Sequence, residues 1–233
     1  VLRITVIGNS VSIRTRPEVG TNEGCYSKVL INSLLKENIE CQVTNMGYSG
    51  RIIYEVEYTL DKYIQTLPDI VIVNLGSVDV ATREIPRWFY NRMQLGVGGL
   101  RAIIYRFIYR FLIGKWKTSF VKLRGYKSWV SPGQFMDSLD VILKGIKKDS
   151  NAKLIVMGVN AGNERIEKVL PRTLQRYQHL NDLLRAYIDK NDIEHLDVSS
   201  LNCEIDYPDG IHYSNEGHEK IGKMLFEKII STL

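Results

Sequence analysis

A chain of 233 residues with 44% hydrophobic and 24% charged residues can bury a sizeable core and falls within the size that α/β proteins fill with one domain. No run reaches the roughly 18 uninterrupted apolar residues of a membrane-crossing helix, and Cys25, Cys41 and Cys203, odd in number and widely spaced, suit reduced thiols and no disulfide framework, with no pair at metal-ligand spacing. The net charge of +5 is unevenly placed: residues 83–127 hold 11 Lys and Arg against Glu84 alone, leaving 20 basic and 25 acidic residues elsewhere.

In chain order, short β-branched runs alternate with longer amphipathic ones. Strands are predicted over 3–8 (RITVIG), 40–45 (ECQVTN), 69–76 (DIVIVNLG), 152–159 (AKLIVMGV) and 194–198 (EHLDV). The third and fourth are nearly all apolar, as strands covered on both faces should be. Helices are predicted over 23–38, 51–66, 133–150, 170–191 and 215–232, with Asn22 a candidate cap for the first and Ser214 or Asn215 for the last. This alternation predicts an α/β protein with a five-stranded, mostly parallel sheet between helix layers. In such sheets the chemistry sits at the carboxyl ends of the strands. Gly8 to Ser12, Asn45 to Gly50, Gly76 to Asp79 and Asn160 to Asn163 fall there.

A basic segment, about 83–131, interrupts the alternation after the third strand and is too long for a plain loop. Within it, residues 99–117 put Leu100, Ile103, Ile104, Phe107, Ile108, Phe111 and Leu112 on one helical face. The segment reads first as a lid or a contact between copies in a homo-oligomer, which would cover that face. It reads second as a helix seated on a membrane surface with its arginines at anionic headgroups. Nucleic acid is the weakest reading, because no recognised nucleic-acid motif accompanies the charge. The first residues run directly into the first strand without the pattern of a secretory leader, so a cytoplasmic location, or one peripheral to a membrane, is expected.

Near the other end, YPDGIHYSNEGH (207–218) sets Asp209 three residues before His212, close enough for the carboxylate to orient the imidazole. A hydroxyl is a poor nucleophile until a positioned base takes its proton. Ser10, in VIGNSVS (6–12), follows the first strand. By residue type Ser10, Asp209 and His212 complete a triad, provided the last helix brings its leading loop beside that strand.

Four blocks, IGNS near the start, NMGYSG after the second strand, LGSVD after the third and DGIHYSNEGH near the end, stand in the order found in the SGNH, or GDSL-like, serine hydrolases, which the chain resembles over nearly its whole length. The resemblance implies a flavodoxin-like α/β/α sandwich, a single domain over 1–233 and no metal or organic cofactor. It makes Ser10 the nucleophile, Asp209 and His212 the orienting acid and general base, and the backbone N–H groups of Ser10 and Gly50 the oxyanion donors. Two positions depart from the pattern. Asn9 replaces an aspartate, and Val78 stands where the family carries an asparagine that gives a third oxyanion hydrogen bond, a loss that costs roughly 100- to 1,000-fold in rate in a well-studied hydrolase.

Asn74, Ser77 and Asn160 are the candidate replacement donors. Arg14 and Arg16, in RTRPE (14–18), are candidates to bind a carboxylate or phosphate of a substrate. The function implied is hydrolysis of an ester, with an O-acetyl or other O-acyl group on a carbohydrate or related small molecule as the expected substrate. The alternatives are transfer of that acyl group to a sugar hydroxyl through the same triad, and a binding protein on a catalytically weakened fold of this kind.

Overall fold

The structure, a computed structural model, describes all residues except 22, 95–98 and 192, so the cap expected at Asn22 lies outside the described residues. In chain order it has β1 (Leu2–Gly8), α1 (Tyr26–Lys36), β2 (Cys41–Asn45), α2 (Ile53–Glu57), α3 (Asp61–Ile64), β3 (Ile70–Asn74), α4 (Ser77–Val80) and α5 (Arg87–Gln94). There follow α6 (Leu100–Ile108), α7 (Lys117–Leu123), α8 (Pro132–Asp149), β4 (Lys153–Met157), α9 (Glu164–Val169), α10 (Thr173–Asn191), β5 (Glu194–Leu196) and α11 (Asn215–Ile230). The five strands form one all-parallel sheet in the order β2-β1-β3-β4-β5.

Side chains alternate across a strand, and β3 divides its residues between two cores. Val71 and Val73 face α2, α3, α8 and α10, whereas Ile70 and Ile72 face α1 and α11. All four are buried. Complete burial of one such side chain is worth about 1.5–3 kcal/mol, so a central strand with no polar face is held from both sides. Ser214 caps α11 by accepting the Gly217 N–H at 3.1 Å.

Two expectations are corrected. The helix expected over 51–66 is broken into α2 and α3. After α2 the Thr59 N–H turns to the Val56 carbonyl at 3.0 Å, three residues back, while Thr59 Oγ1 donates to the Glu55 carbonyl at 2.6 Å, and Leu60 packs so closely on α8 that a Cβ at Gly145 would stand 2.4 Å from it. Likewise 99–117 is not one helix. α6 passes into a π-helical turn at Tyr109–Ile113 and a 3₁₀ turn at Gly114–Trp116 before α7.

The insertion leaves and rejoins the body at one neck, where Thr82 bridges Ser128 and the Arg83 N–H donates to the Lys127 carbonyl at 2.9 Å. It has its own small core of Ile85, Phe89, Met93 and Ile113. Among the described residues, no helix is long and apolar enough to cross a membrane.

Candidate active site

The carboxyl ends of β1, β2, β3 and β4 carry the site. Directly after β1, Ser10 opens a single 3₁₀ turn (Ser10–Ser12) that Asn9 caps: its Oδ1 accepts the Val11 N–H at 3.1 Å, and its amide donates to Ser77 Oγ at 3.3 Å. The departure at position 9 thus keeps a structural role that needs an acceptor and gains a donor. From the end of β4 and the loop after it, Asn160 and Asn163 hold the loop before α11. Asn160 donates to the Ile211 carbonyl at 2.7 Å and Asn163 to the Pro208 carbonyl at 3.3 Å. Gly210, between them, has φ of +85°, and a Cβ there would stand 2.5 Å from Asn163 Oδ1.

That loop brings His212 to Ser10, 202 residues away in sequence. His212 Nε2 lies 3.0 Å from Ser10 Oγ, and His212 Nδ1 lies 2.8 Å from Asp209 Oδ2. An ionised carboxylate can only accept, which assigns the proton to Nδ1 and leaves Nε2 to accept from the serine hydroxyl. Asp209 Oδ1 accepts the N–H groups of Ile211 and His212 at 2.8 and 2.7 Å. Burial alone would raise the Asp209 pKa. The His212 side chain and the two backbone donors outweigh it and hold the carboxyl below its ordinary value, so it is ionised at neutral pH.

Ser10, His212 and Asp209 open on a cavity of about 330 Å³ whose wall includes Gly50, Val78, Arg16 and Arg83. Among the described residues no hydrogen bond occupies the backbone N–H of Ser10 or of Gly50. Gly50 has φ of +73°, and a Cβ there would meet Tyr90 Oη at 2.4 Å. Its carbonyl accepts from Arg87 at 2.7 Å, which fixes the turn from the opposite side.

The three candidate replacement donors do not line this cavity. Asn74 donates to Tyr26 Oη at 3.3 Å, Ser77 accepts from Asn9, and Asn160 is spent on Ile211. All three are buried. The reason is shared: each sits inside the sandwich with its polar hydrogen-bonding group turned to the fold and away from the cavity, although Asn160 Oδ1 finds no partner there among the described residues. Of the two candidate arginines, Arg16 lines the cavity and donates to Ser49 Oγ at 2.6 Å, whereas Arg14 is exposed and does not line it.

Sequence reasoning missed Arg83, Tyr90 and Trp129, all on the cavity wall. Arg83 donates to the Val78 carbonyl at 2.9 Å and stacks on Trp129 with its guanidinium carbon 4.4 Å from the ring centre. Tyr90 packs against the same indole at 4.8 Å. The signal was present in the run of basic residues beginning at Arg83, which reads as a charge excess and not as site residues until the neck of the insertion is seen beside β3. His218, buried between Tyr26 and Tyr213, accepts the Tyr26 N–H at 3.3 Å and so caps α1, whose N-cap residue Cys25 gives no side-chain hydrogen bond.

No protein-family model matches this sequence, and no curated protein resembles it closely enough to count as a relative. Solved structures do resemble it. A lipase/acylhydrolase from Enterococcus faecalis matches with a TM-score of 0.68 over 100% of this chain and 97% of its own, at 14% identity. A catalytic mutant of an acetylxylan esterase from Geobacillus stearothermophilus matches with a TM-score of 0.64 over 98% and 94% of the two chains at 16% identity. A carbohydrate acetylesterase family member from Sinorhizobium meliloti matches with a TM-score of 0.64 over 99% and 98% at 12% identity. At these identities the likeness is one of architecture: the chain has the α/β fold of the GDSL-like lipases and acylhydrolases.

Proposed function

We propose that the protein is a serine esterase that removes an O-acyl group, an acetyl group in the first instance, from a carbohydrate or related polyhydroxylated alcohol. The observation that carries this reading is the unbroken relay from Asp209 through His212 to the hydroxyl of Ser10 at hydrogen-bond distances of 2.8 and 3.0 Å, facing an open cavity. His212 Nε2 takes the Ser10 proton as Oγ attacks the ester carbonyl, and the same proton then passes to the departing alcohol oxygen. The N–H groups of Ser10 and Gly50 receive the oxyanion. Water, deprotonated by His212, attacks the acyl-serine and releases the carboxylic acid.

The carbohydrate part is supported by the cavity wall. Tyr90 and Trp129, the latter with Arg83 and Arg87 stacked on its indole, make part of that wall apolar, and Arg16 and Arg83 bring donors to it, the mixture that a polyhydroxylated alcohol requires. Two of the structural neighbours are an acetylxylan esterase and a carbohydrate acetylesterase family member, which supports the same substrate class. Acetate release from an O-acetylated oligosaccharide and from a small aryl acetate tests the reading. We expect both to be cleaved and the sugar ester to have the higher kcat/KM. Cleavage of the aryl ester alone would remove the carbohydrate, and acetate transfer only in the presence of an acceptor sugar would make the protein a transferase.

A further inference from the structure

We propose that the outer face of the insertion docks on an anionic lipid bilayer. This inference does not depend on the ester chemistry, since it rests on which side of α6 the fold covers.

An amphipathic helix ordinarily turns its apolar stripe to the protein, and α6 does the opposite. Ala102 is buried, and Tyr105 and Tyr109 pack on the small core of the insertion. Tyr105 meets Phe89 edge to face at 5.0 Å, Tyr109 donates to the buried Glu84, and Arg106 Nε donates to the Met93 carbonyl at 3.0 Å. These contacts fix the roll of the helix. The stripe of Leu100, Ile103, Ile104 and Phe107, continued by Phe111 and Leu112, therefore faces away from the body, each side chain between 47% and 74% exposed. Scattered exposed apolar residues are ordinary, but six in one continuous stripe mark a surface that something covers. Trp116, 64% exposed at the end of the same stretch, is the residue type that settles at lipid headgroups.

Charge selects the occupant. Arg101, Arg106, Arg110 and Lys115 flank the stripe and are exposed, and between residues 85 and 127 there is no acidic residue to neutralise them. A second copy seated on this face would bring two cationic rims together, a like-charge juxtaposition that opposes association. A bilayer containing anionic lipid covers the stripe with acyl chains and meets the rim with phosphate and carboxylate groups. α5 joins this face to the cavity, since Phe89 packs on α6 while Tyr90 lines the cavity. A docked protein thus presents its cavity one helix away from the membrane surface.

The test is co-sedimentation with vesicles of phosphatidylcholine mixed with phosphatidylserine, against vesicles of phosphatidylcholine alone, together with light scattering of the free protein. Wild type is expected to sediment with the mixed vesicles at least roughly tenfold more than with the neutral ones, and less as salt is raised. The double variant Ile104→Glu, Phe107→Glu, at positions that bear no part of the core, is expected to lose binding while its circular dichroism and melting temperature stay unchanged. Equal sedimentation of wild type and variant, or none for wild type, overturns the proposal. A dimer that the double variant abolishes, without vesicle binding, overturns it in favour of a second copy.

Discussion

At the residue scale the decisive position is Val78. Val78 lines the cavity at the position where the resemblance calls for an asparagine, and Asn74, Ser77 and Asn160 are engaged elsewhere. In the proposed reaction the oxyanion would rest on the two backbone N–H groups of Ser10 and Gly50, with Arg83 a cationic side chain on the same wall. Val78→Asn is expected to raise kcat, by up to roughly 100-fold if the new amide reaches the oxyanion. An unchanged kcat in a folded variant would mean that a donor already fills the place, and Arg83→Gln would then be the variant to lose it. At Gly50 the sign is opposite. A methyl group there faces both a left-handed backbone, costing about 1–2 kcal/mol, and the Tyr90 hydroxyl. Gly50→Ala is expected to lower kcat by roughly 100-fold or more with a smaller effect on KM, because it displaces a donor used in the transition state. That Ser10, Asp209 and His212 meet was legible in the sequence through the four blocks standing in order, since neither Asp-x-x-His nor a serine after a strand is a specific signal alone. The cavity wall was not, because Arg83 and Trp129 lie 46 positions apart and meet only through the neck.

At the scale of elements, the sheet was legible and its helical partners partly so. The apolar runs of β3 and β4 have one explanation, burial on both faces, whereas the break between α2 and α3 comes with a close approach of Leu60 to Gly145 on a distant helix, which no local pattern announces. The insertion misleads for a related reason. Its hydrophobic stripe predicts a covered face without saying what covers it, and tyrosines with hydrogen-bonding tips and a buried Glu84 roll that face away from the body. α5 also serves the site. Arg87, at its first residue, donates to the Gly50 carbonyl at 2.7 Å, pairs with Glu55 and stacks on Trp129 at 4.8 Å. It is a positioning residue, and Arg87→Ala is expected to reduce kcat by roughly tenfold while leaving KM within a factor of about two. Arg87→Lys should not rescue, because one ammonium cannot reproduce a planar fork that bonds two partners and stacks on a ring. An equal loss in kcat and gain in KM would instead mark Arg87 as a group that binds substrate.

At the scale of the whole molecule, stability should depend on pH through two buried groups of opposite sign. Burial pushes His218 down to about 4 from its ordinary 6.5, so the unfolded chain binds the proton first. Its contribution is complete above about 6.5 and is lost as pH falls toward 4, amounting to about 3 kcal/mol at most. Burial pushes Asp79 up to about 6 from 3.8, against the pull of the Ile53 and Gly76 N–H groups. There the folded state binds the proton first, and stability rises as pH falls through that interval. Wild type alone would show a partial cancellation. His218→Gln, melted alongside it, is expected to be less stable at pH 7 but to lose less on acidification to pH 4.5, and parallel curves would contradict the assignment.

The most direct test of the central claim is the intact mass of the protein after exposure to a fluorophosphonate, wild type beside Ser10→Ala. The relay of Asp209, His212 and Ser10 predicts a single adduct on the wild type and none on the variant. A folded wild type that takes no adduct, or a variant that still takes one, would contradict the assignment of Ser10 as an activated nucleophile.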